Sequence, residues 1–82
     1  MSNAKTNEVR RFILRVIRDR GDSPINEDTI LDALDLRYGD ELTRDDGRAH
    51  IKALAREDFI TGTSVELIGI VWGLTPKGRL AA

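Results

Sequence analysis

Cysteine is absent from this chain of 82 residues, and histidine occurs only once. The absence of cysteine excludes disulfide bonds, a thiolate nucleophile and cysteine-based zinc sites. Packing of the core must therefore hold the fold together. A chain of this length suits one small domain, which we assign to residues 1–82, with residues 1–6 expected to be flexible.

Long hydrophobic runs are also missing. The longest apolar stretch, Val65 to Leu74, is interrupted by Glu66 and has about half the length that a membrane-spanning helix needs. The N-terminus lacks the apolar segment of a secretory signal. We therefore expect a cytoplasmic protein that does not contact a membrane.

An excess of charge of one sign is lacking too, because 13 Lys and Arg residues are balanced by 14 Asp and Glu residues. The charges are nevertheless segregated along the chain. Residues 1–20 carry six positive and two negative side chains, residues 21–47 carry two and nine, and residues 48–82 carry five and three. This asymmetry predicts faces of opposite sign. Any contact with DNA would require a local basic face.

Apolar residues at helical spacing predict three helices in the first two thirds of the chain. Helix 1 should cover about residues 7–20, where apolar side chains recur every three or four positions. Helix 2 should begin at its N-cap, Asn26, and end at Gly39. Helix 3 should begin at Thr43, which opens a capping box, and end at about Arg56.

The pattern then changes to one typical of strands. Phe59–Thr61 and Ile68–Leu74 are rich in β-branched and aromatic residues and predict a β-hairpin with a loop near Ser64–Leu67. Thr75 and Pro76 predict a short final helix, with threonine as its N-cap and proline in its first turn. The order of three helices, a hairpin and a short helix predicts an α+β domain.

This order of elements resembles the winged helix-turn-helix superfamily. Leu54–Ile60 (LAREDFI) is similar to the L-x-x-E-G-L-I junction between the recognition helix and the first wing strand, except that Asp58 stands where glycine is commoner. Leu74–Arg79 (LTPKGR) is similar to the L-T-x-x-G-R motif that closes the wing in many bacterial regulators. The resemblance implies a three-helix winged helix-turn-helix with a C-terminal β-hairpin wing and a short final helix.

A narrower resemblance, over about Val9 to Leu80, is to small winged-helix proteins of Mu-like phages and prophages. The matching residues are Asn26, Leu31, Leu34, Thr43, Arg44, Asp45, Arg48, Leu54, Glu57, Leu74, Thr75 and Gly78. This resemblance implies a phage or prophage protein of the host cytoplasm. A winged helix serves either as a DNA-binding regulator or as a scaffold for protein contacts.

Helix 3 carries the basic residues to which we assign contact with double-stranded DNA. A slanted stripe toward solvent is formed by residues at intervals of four, namely Arg44, Arg48, Lys52 and Arg56. Like charges at this spacing destabilise a helix, so helix stability alone does not account for the stripe. We expect Arg44 and Arg48 near base edges. Lys52 and Arg56 would then contact phosphates.

Other interpretations of these charges stay open. Asp45 and Asp46 lie in the first turn of helix 3 and count against DNA, so the stripe could be an ordinary solvated face. The segment Thr61–Glu66 has no Lys or Arg, so the wing offers no basic tip, although Lys77 and Arg79 could reach phosphate. The arginines of helix 1 could contact flanking phosphates, pair with the acidic helix 2 of the same or another molecule, or lie in solvent; they are Arg10, Arg11, Arg15 and Arg18.

The alternative to DNA binding is protein–protein interaction or homo-oligomerisation. That function predicts an exposed apolar patch, such as one that includes Trp72, Leu36 or Tyr38. In the absence of such a patch we expect Trp72 to be a lid over the core.

Catalytic and metal sites are not indicated. The sequence has no glycine-rich phosphate loop, no nucleophile motif and no paired acid and base, so we expect no enzyme activity, no cofactor and no small-molecule substrate. Asp28, Asp32 and Asp35 share one side of helix 2, where a solvated face is favoured over a weak cation site, and we assign no metal. His50 should be an ordinary helical residue.

Overall fold

The computed structural model describes residues 3–21 and 23–82, which form an α+β domain. In this part of the chain four α-helices surround one three-stranded antiparallel sheet. The elements are α1 (Asn3–Asp19), β1 (Ile25–Asn26), α2 (Glu27–Tyr38), a 3-10 turn (Gly39–Glu41), α3 (Arg44–Arg56), β2 (Ile60–Val65), β3 (Gly69–Leu74) and α4 (Pro76–Ala81). None of the helices described is long and apolar enough to cross a lipid bilayer.

Helix α1 begins earlier than the apolar spacing indicates. It starts at Asn3, four residues before the predicted start. Met1 and Ser2, which belong to the segment expected to be flexible, lie outside the described residues. The first turn is tied down by Lys5, whose Nζ lies 3.4 Å from the Glu8 carboxylate and 3.1 Å from that of Glu41. Glu41 is far away in sequence, so periodicity alone does not reveal this contact.

The predicted N-caps are confirmed. Asn26 accepts the backbone N–H of Asp28 through its side-chain oxygen, at 2.8 Å. The capping box of α3 is complete, because Thr43 Oγ1 accepts the N–H of Asp46 and the Asp46 carboxylate accepts the N–H of Thr43. Thr75 caps α4 with a single bond, in which its Oγ1 accepts the N–H of Gly78. Each cap satisfies backbone donors that a helix N-terminus leaves unpaired.

The predicted hairpin is present and longer than expected. β2 and β3 pair along their whole lengths, from Ile60 opposite Leu74 to Val65 opposite Gly69, so the loop shrinks to residues 66–68. Strand β1, which the sequence pattern does not predict, pairs with the other side of β3 and makes β3 the central strand. A strand of two residues has no period to detect.

The core is almost entirely aliphatic and is drawn from α1, α2, α3 and the sheet. Its fully buried side chains are Val9, Ile13, Ile17, Ile25, Ile30, Leu31, Ile51, Leu54 and Ile60. Trp72 of β3 is buried beside them, as expected of a core lid. Its ring lies directly against Gly62 of β2, where a Cβ atom would come within 2.7 Å of the ring.

The junction between α3 and β2 contains Asp58, the residue that stands where the L-x-x-E-G-L-I pattern has glycine. Asp58 adopts a positive φ of 66°, the left-handed conformation that glycine adopts most easily. Its N–H is donated to the carbonyl of Ala55, and the N–H of Phe59 is donated to that of Leu54. These two bonds form a Schellman motif with aspartate in the usual glycine position.

Candidate nucleic-acid interface

Close packing against α2 sets the orientation of α3. Gly47 lies at the contact, where a Cβ atom would come within 2.8 Å of the Leu31 side chain. Ile51 and Leu54 point into the core. The side of α3 opposite these residues is therefore left toward solvent, and the basic stripe begins beside α2 and slants onto that side.

Arg44 is the first member of the stripe, and it faces the acidic side of α2. Its Nη1 donates to Asp35 Oδ2 at 2.7 Å and to Asp32 Oδ1 at 3.1 Å. Its Nη2 lies 3.7 Å from Asp28 Oδ1. These two hydrogen bonds, of which the one to Asp32 has the larger effect, raise the pKa of Arg44 above its ordinary value. The structure therefore places this guanidinium among carboxylates, and the three aspartates considered as a weak cation site surround a side-chain cation.

Arg48, one turn further along α3, is also paired. Its Nη1 donates to Asp45 Oδ1 at 3.2 Å, and its Nε lies 4.0 Å from Glu27 Oε2. The other carboxylate oxygen of Glu27 accepts the indole N–H of Trp72 at 3.2 Å. Glu27 thus contacts both the buried Trp72 and Arg48, the second residue of the basic stripe.

Lys52 and Arg56 complete the stripe, and both are exposed. Among the described residues, no carboxylate lies within 4 Å of either cation. The stripe therefore consists of a neutralised N-terminal half and a C-terminal half whose two positive charges face water.

Of the four arginines of α1 considered in the sequence analysis, two lie next to a carboxylate of the described residues and two do not. Arg10 donates to His50 Nδ1 at 3.3 Å and lies 3.5 Å from the carboxylate of Glu57. Arg18 pairs with its neighbour Asp19. The remaining two, Arg11 and Arg15, are exposed and form no ion pair within residues 3–21 and 23–82. In the same residues none of these arginines pairs with α2.

His50 of α3 is buried and contacts Arg10 of α1. It is only 8% exposed. Burial is the main cause that lowers its pKa below the ordinary 6.5, and the nearby positive charge of Arg10 is the second cause. The neutral ring accepts the Arg10 hydrogen bond at Nδ1, which places its proton on Nε2. The two residues are 40 positions apart in sequence, so no local pattern could have revealed the pair.

The hairpin and α4 present different chemistry from that of α3. Lys77 Nζ donates to the backbone carbonyl of Glu57 at 2.7 Å and lies 4.5 Å from the centre of the Phe59 ring. The hairpin tip is apolar, with Leu67, Ile68 and Ile70 exposed. We call these three residues the apolar tip.

The apolar patch named in the sequence analysis is not assembled in the structure. Trp72 and Tyr38 are each only 7% exposed, whereas Leu36 is 91% exposed. Exposed apolar surface therefore lies at the hairpin tip and at isolated positions, and not around Trp72.

A groove of about 440 Å³ lies where α1, the end of α3 and the chain around α4 meet. Leu14, Leu54 and Phe59 line its apolar part, and Asn7, Arg10 and Arg11 line its polar part. Leu14 and Leu54 are almost wholly buried, so they form the floor of the groove.

No known protein family, curated protein or solved structure matches the chain. In the part of the chain that the structure describes, no group of three or more His, Asp or Glu side chains is arranged to hold a metal ion. Any functional conclusion therefore depends on the geometry of the charged surface.

Proposed function

We propose that this protein is a winged-helix module that binds double-stranded DNA through the C-terminal half of α3. Three features of the fold support the winged-helix assignment. Strand β1 lies between α1 and α2, the hairpin follows α3 directly, and the sheet has the order β1-β3-β2. The resemblance of the residues around Asp58 and Thr75 to the superfamily's motifs supports it as well.

The observation that carries the DNA proposal is the pair of free cations on α3. Lys52 and Arg56 are one helical turn apart and exposed. Their charges are therefore available for phosphates, and release of counterions from the DNA would drive the binding. We assign phosphate contact to these two residues.

Arg44 and Arg48 contribute differently in this proposal, because each would first have to leave its carboxylates. Exposed ion pairs contribute only about 0–1 kcal/mol each, so Arg48, with two weak contacts, can exchange partners at small cost. Arg44 has three carboxylates around it, so in this proposal it keeps its ion pairs with α2 when DNA binds. Asp45 and Asp46 add negative charge at the start of α3, which disfavours contact between that turn and base edges.

The proposal predicts weak binding that is dominated by phosphate contacts and depends strongly on salt. The test is an NMR titration of the isotope-labelled chain with a random-sequence duplex, first at low and then at near-physiological salt. We expect shifts centred on residues 48–56, and we expect them to weaken steeply as salt is added.

Two double variants with equal loss of charge make the test specific. Lys52→Ala with Arg56→Ala should lower duplex affinity at least tenfold. The slope of the logarithm of the binding constant against the logarithm of the salt concentration should become smaller by about two. Arg15→Ala with Arg37→Ala removes two cations from α1 and α2 and should change affinity less than threefold. Equal losses in the two variants, or no shifts at low salt, would refute the proposal. The scaffold for protein contacts would then be the expected function.

A further inference from the structure

The apolar tip is a protrusion that the chain's own fold leaves uncovered. Leu67 is fully exposed and Ile68 is 58% exposed. Leu67 also adopts a positive φ of 68°, a conformation that is unfavourable for a residue with a Cβ atom. Its side chain gains no burial in return.

The tip is held in place by the start of α2. Asn26 donates from its side-chain nitrogen to the carbonyl of Ile68 at 3.3 Å, while its oxygen caps α2 through Asp28. A tip that is already ordered loses little conformational entropy when it docks, which favours its use as a contact.

The groove between α1, α3 and α4 has the complementary character. Its floor is apolar, with Leu14, Leu54 and Phe59. The groove is open to solvent and has a volume of about 440 Å³.

The charges next to the tip and the groove are opposite. Glu66 directly precedes Leu67 and is exposed. At the groove, Arg10 is already paired with Glu57, which leaves Arg11 as the net positive charge on the rim. Neither Glu66 nor Arg11 forms an ion pair with another described residue.

We infer that the chain associates with a second copy of itself by inserting the apolar tip of one molecule into the groove of the next, with Glu66 against Arg11. The two surfaces are different, so the contact is heterologous: the molecule that inserts its tip keeps a free groove, and the molecule that receives it keeps a free tip. This association does not depend on DNA binding, and the proposed DNA contacts at Lys52 and Arg56 take no part in it.

The experiment is sedimentation velocity on the full chain over a range of concentrations, without DNA. The wild-type chain should show a mass that rises with concentration up to about 1 mM. Leu67→Ser and Arg11→Glu should each weaken association at least tenfold. Their matched controls, Leu36→Ser on α2 and Arg15→Glu on α1, should leave it unchanged. All four positions are exposed, and circular dichroism of each variant verifies its fold.

Two combinations identify the contact itself. Arg11→Glu combined with Glu66→Arg in one chain restores the opposite charges and should restore association. An equimolar mixture of Leu67→Ser, whose groove is intact, with Arg11→Glu, whose tip is intact, should form dimers and nothing larger. A wild-type chain that stays monomeric to about 1 mM, equal losses in the matched controls, or failure of the charge reversal would each overturn the inference.

Discussion

Arg44 Nη1 lies 2.7 Å from the Asp35 carboxylate, in a contact that joins the first turn of α3 to α2. This contact moves the first positive charge of the basic stripe onto an acidic surface and leaves the positive potential of α3 with Lys52 and Arg56. The acidic middle of the sequence and the basic stripe are therefore partly neutralised by each other in the folded protein.

Removing the acidic partners of Arg44 should strengthen DNA binding. In Asp32→Asn with Asp35→Asn, the guanidinium loses its two shortest contacts and becomes available to phosphate. We expect duplex affinity to rise about threefold to tenfold at low salt, with a salt slope steeper by about one. Fluorescence anisotropy with a labelled duplex measures both quantities.

The control for this prediction is a second double variant that has the same net charge as Asp32→Asn with Asp35→Asn. Asp40→Asn with Glu66→Gln also removes two negative charges, at positions without an ion pair among the described residues. An equal gain in affinity from this variant would show that total charge, and not the release of Arg44, is responsible.

Gly78 is required for the packing of α4 on the chain before β2. A Cβ atom at this position would overlap the carbonyl oxygen of Phe59, which accepts the backbone N–H of Thr75. Gly78→Ala should lower the free energy of unfolding by about 1–3 kcal/mol, measured by urea denaturation. Gly73→Ala is the matched control, because a Cβ atom there would meet nothing within 4 Å. A similar loss in both variants would contradict the packing explanation.

Glu27 satisfies the only hydrogen-bond donor of the buried Trp72 side chain. In Glu27→Ala the indole N–H would lose its partner, at a cost of about 1–3 kcal/mol of unfolding free energy. Glu27→Gln keeps an acceptor oxygen and should recover most of this loss. Thermal unfolding followed by tryptophan fluorescence measures the difference, and a glutamine variant as unstable as the alanine variant would count against the bond.

His50 should make stability depend on pH below 6.5. Its pKa in the folded protein is lowered from 6.5, so the unfolded chain binds the proton more tightly. The stabilisation is complete above pH 6.5 and is lost as the pH falls from 6.5 through the lowered pKa, by at most about 1.4 kcal/mol per pH unit.

The variant His50→Gln isolates this effect. Its amide oxygen accepts a hydrogen bond from Arg10 and does not titrate, so the fall in unfolding free energy that begins as the pH drops through 6.5 should disappear. Glu8, whose pKa is lowered from 4.5, loses its contribution only as the pH falls below 4.5. Urea titrations at several pH values measure the slope, and an unchanged slope in the glutamine variant would assign it to other groups.

Asp58→Gly should leave stability unchanged or raise it by up to about 1 kcal/mol. Aspartate at a φ of 66° carries steric strain that glycine lacks. Asp58→Val places a β-branched side chain in the same conformation and should destabilise the protein by about 1–2 kcal/mol. The midpoints of urea denaturation of the two variants measure these changes. A glycine variant less stable than wild type would show that the Asp58 carboxylate itself contributes to stability.

The features that can be predicted from the amino-acid sequence are those whose physical cause lies within one helical turn. The caps at Asn26, Thr43 and Thr75 each depend on a side chain bonding to a backbone group two or three positions away. The apolar period of the helices and the strand-forming residues of the hairpin are local in the same sense. These are the elements that define the α+β class.

Which charged side chains have an ion-pair partner depends on how the helices pack against each other, and sequence patterns do not show this. Arg44 meets Asp28 from 16 positions away, Arg10 meets His50 from 40, and Trp72 meets Glu27 from 45. A helical wheel orders residues around one axis and carries no information about which neighbouring helix brings a carboxylate. The basic stripe was therefore visible in the sequence as four equivalent residues, and the packing of α3 against α2 divided it into a neutralised half and an exposed half.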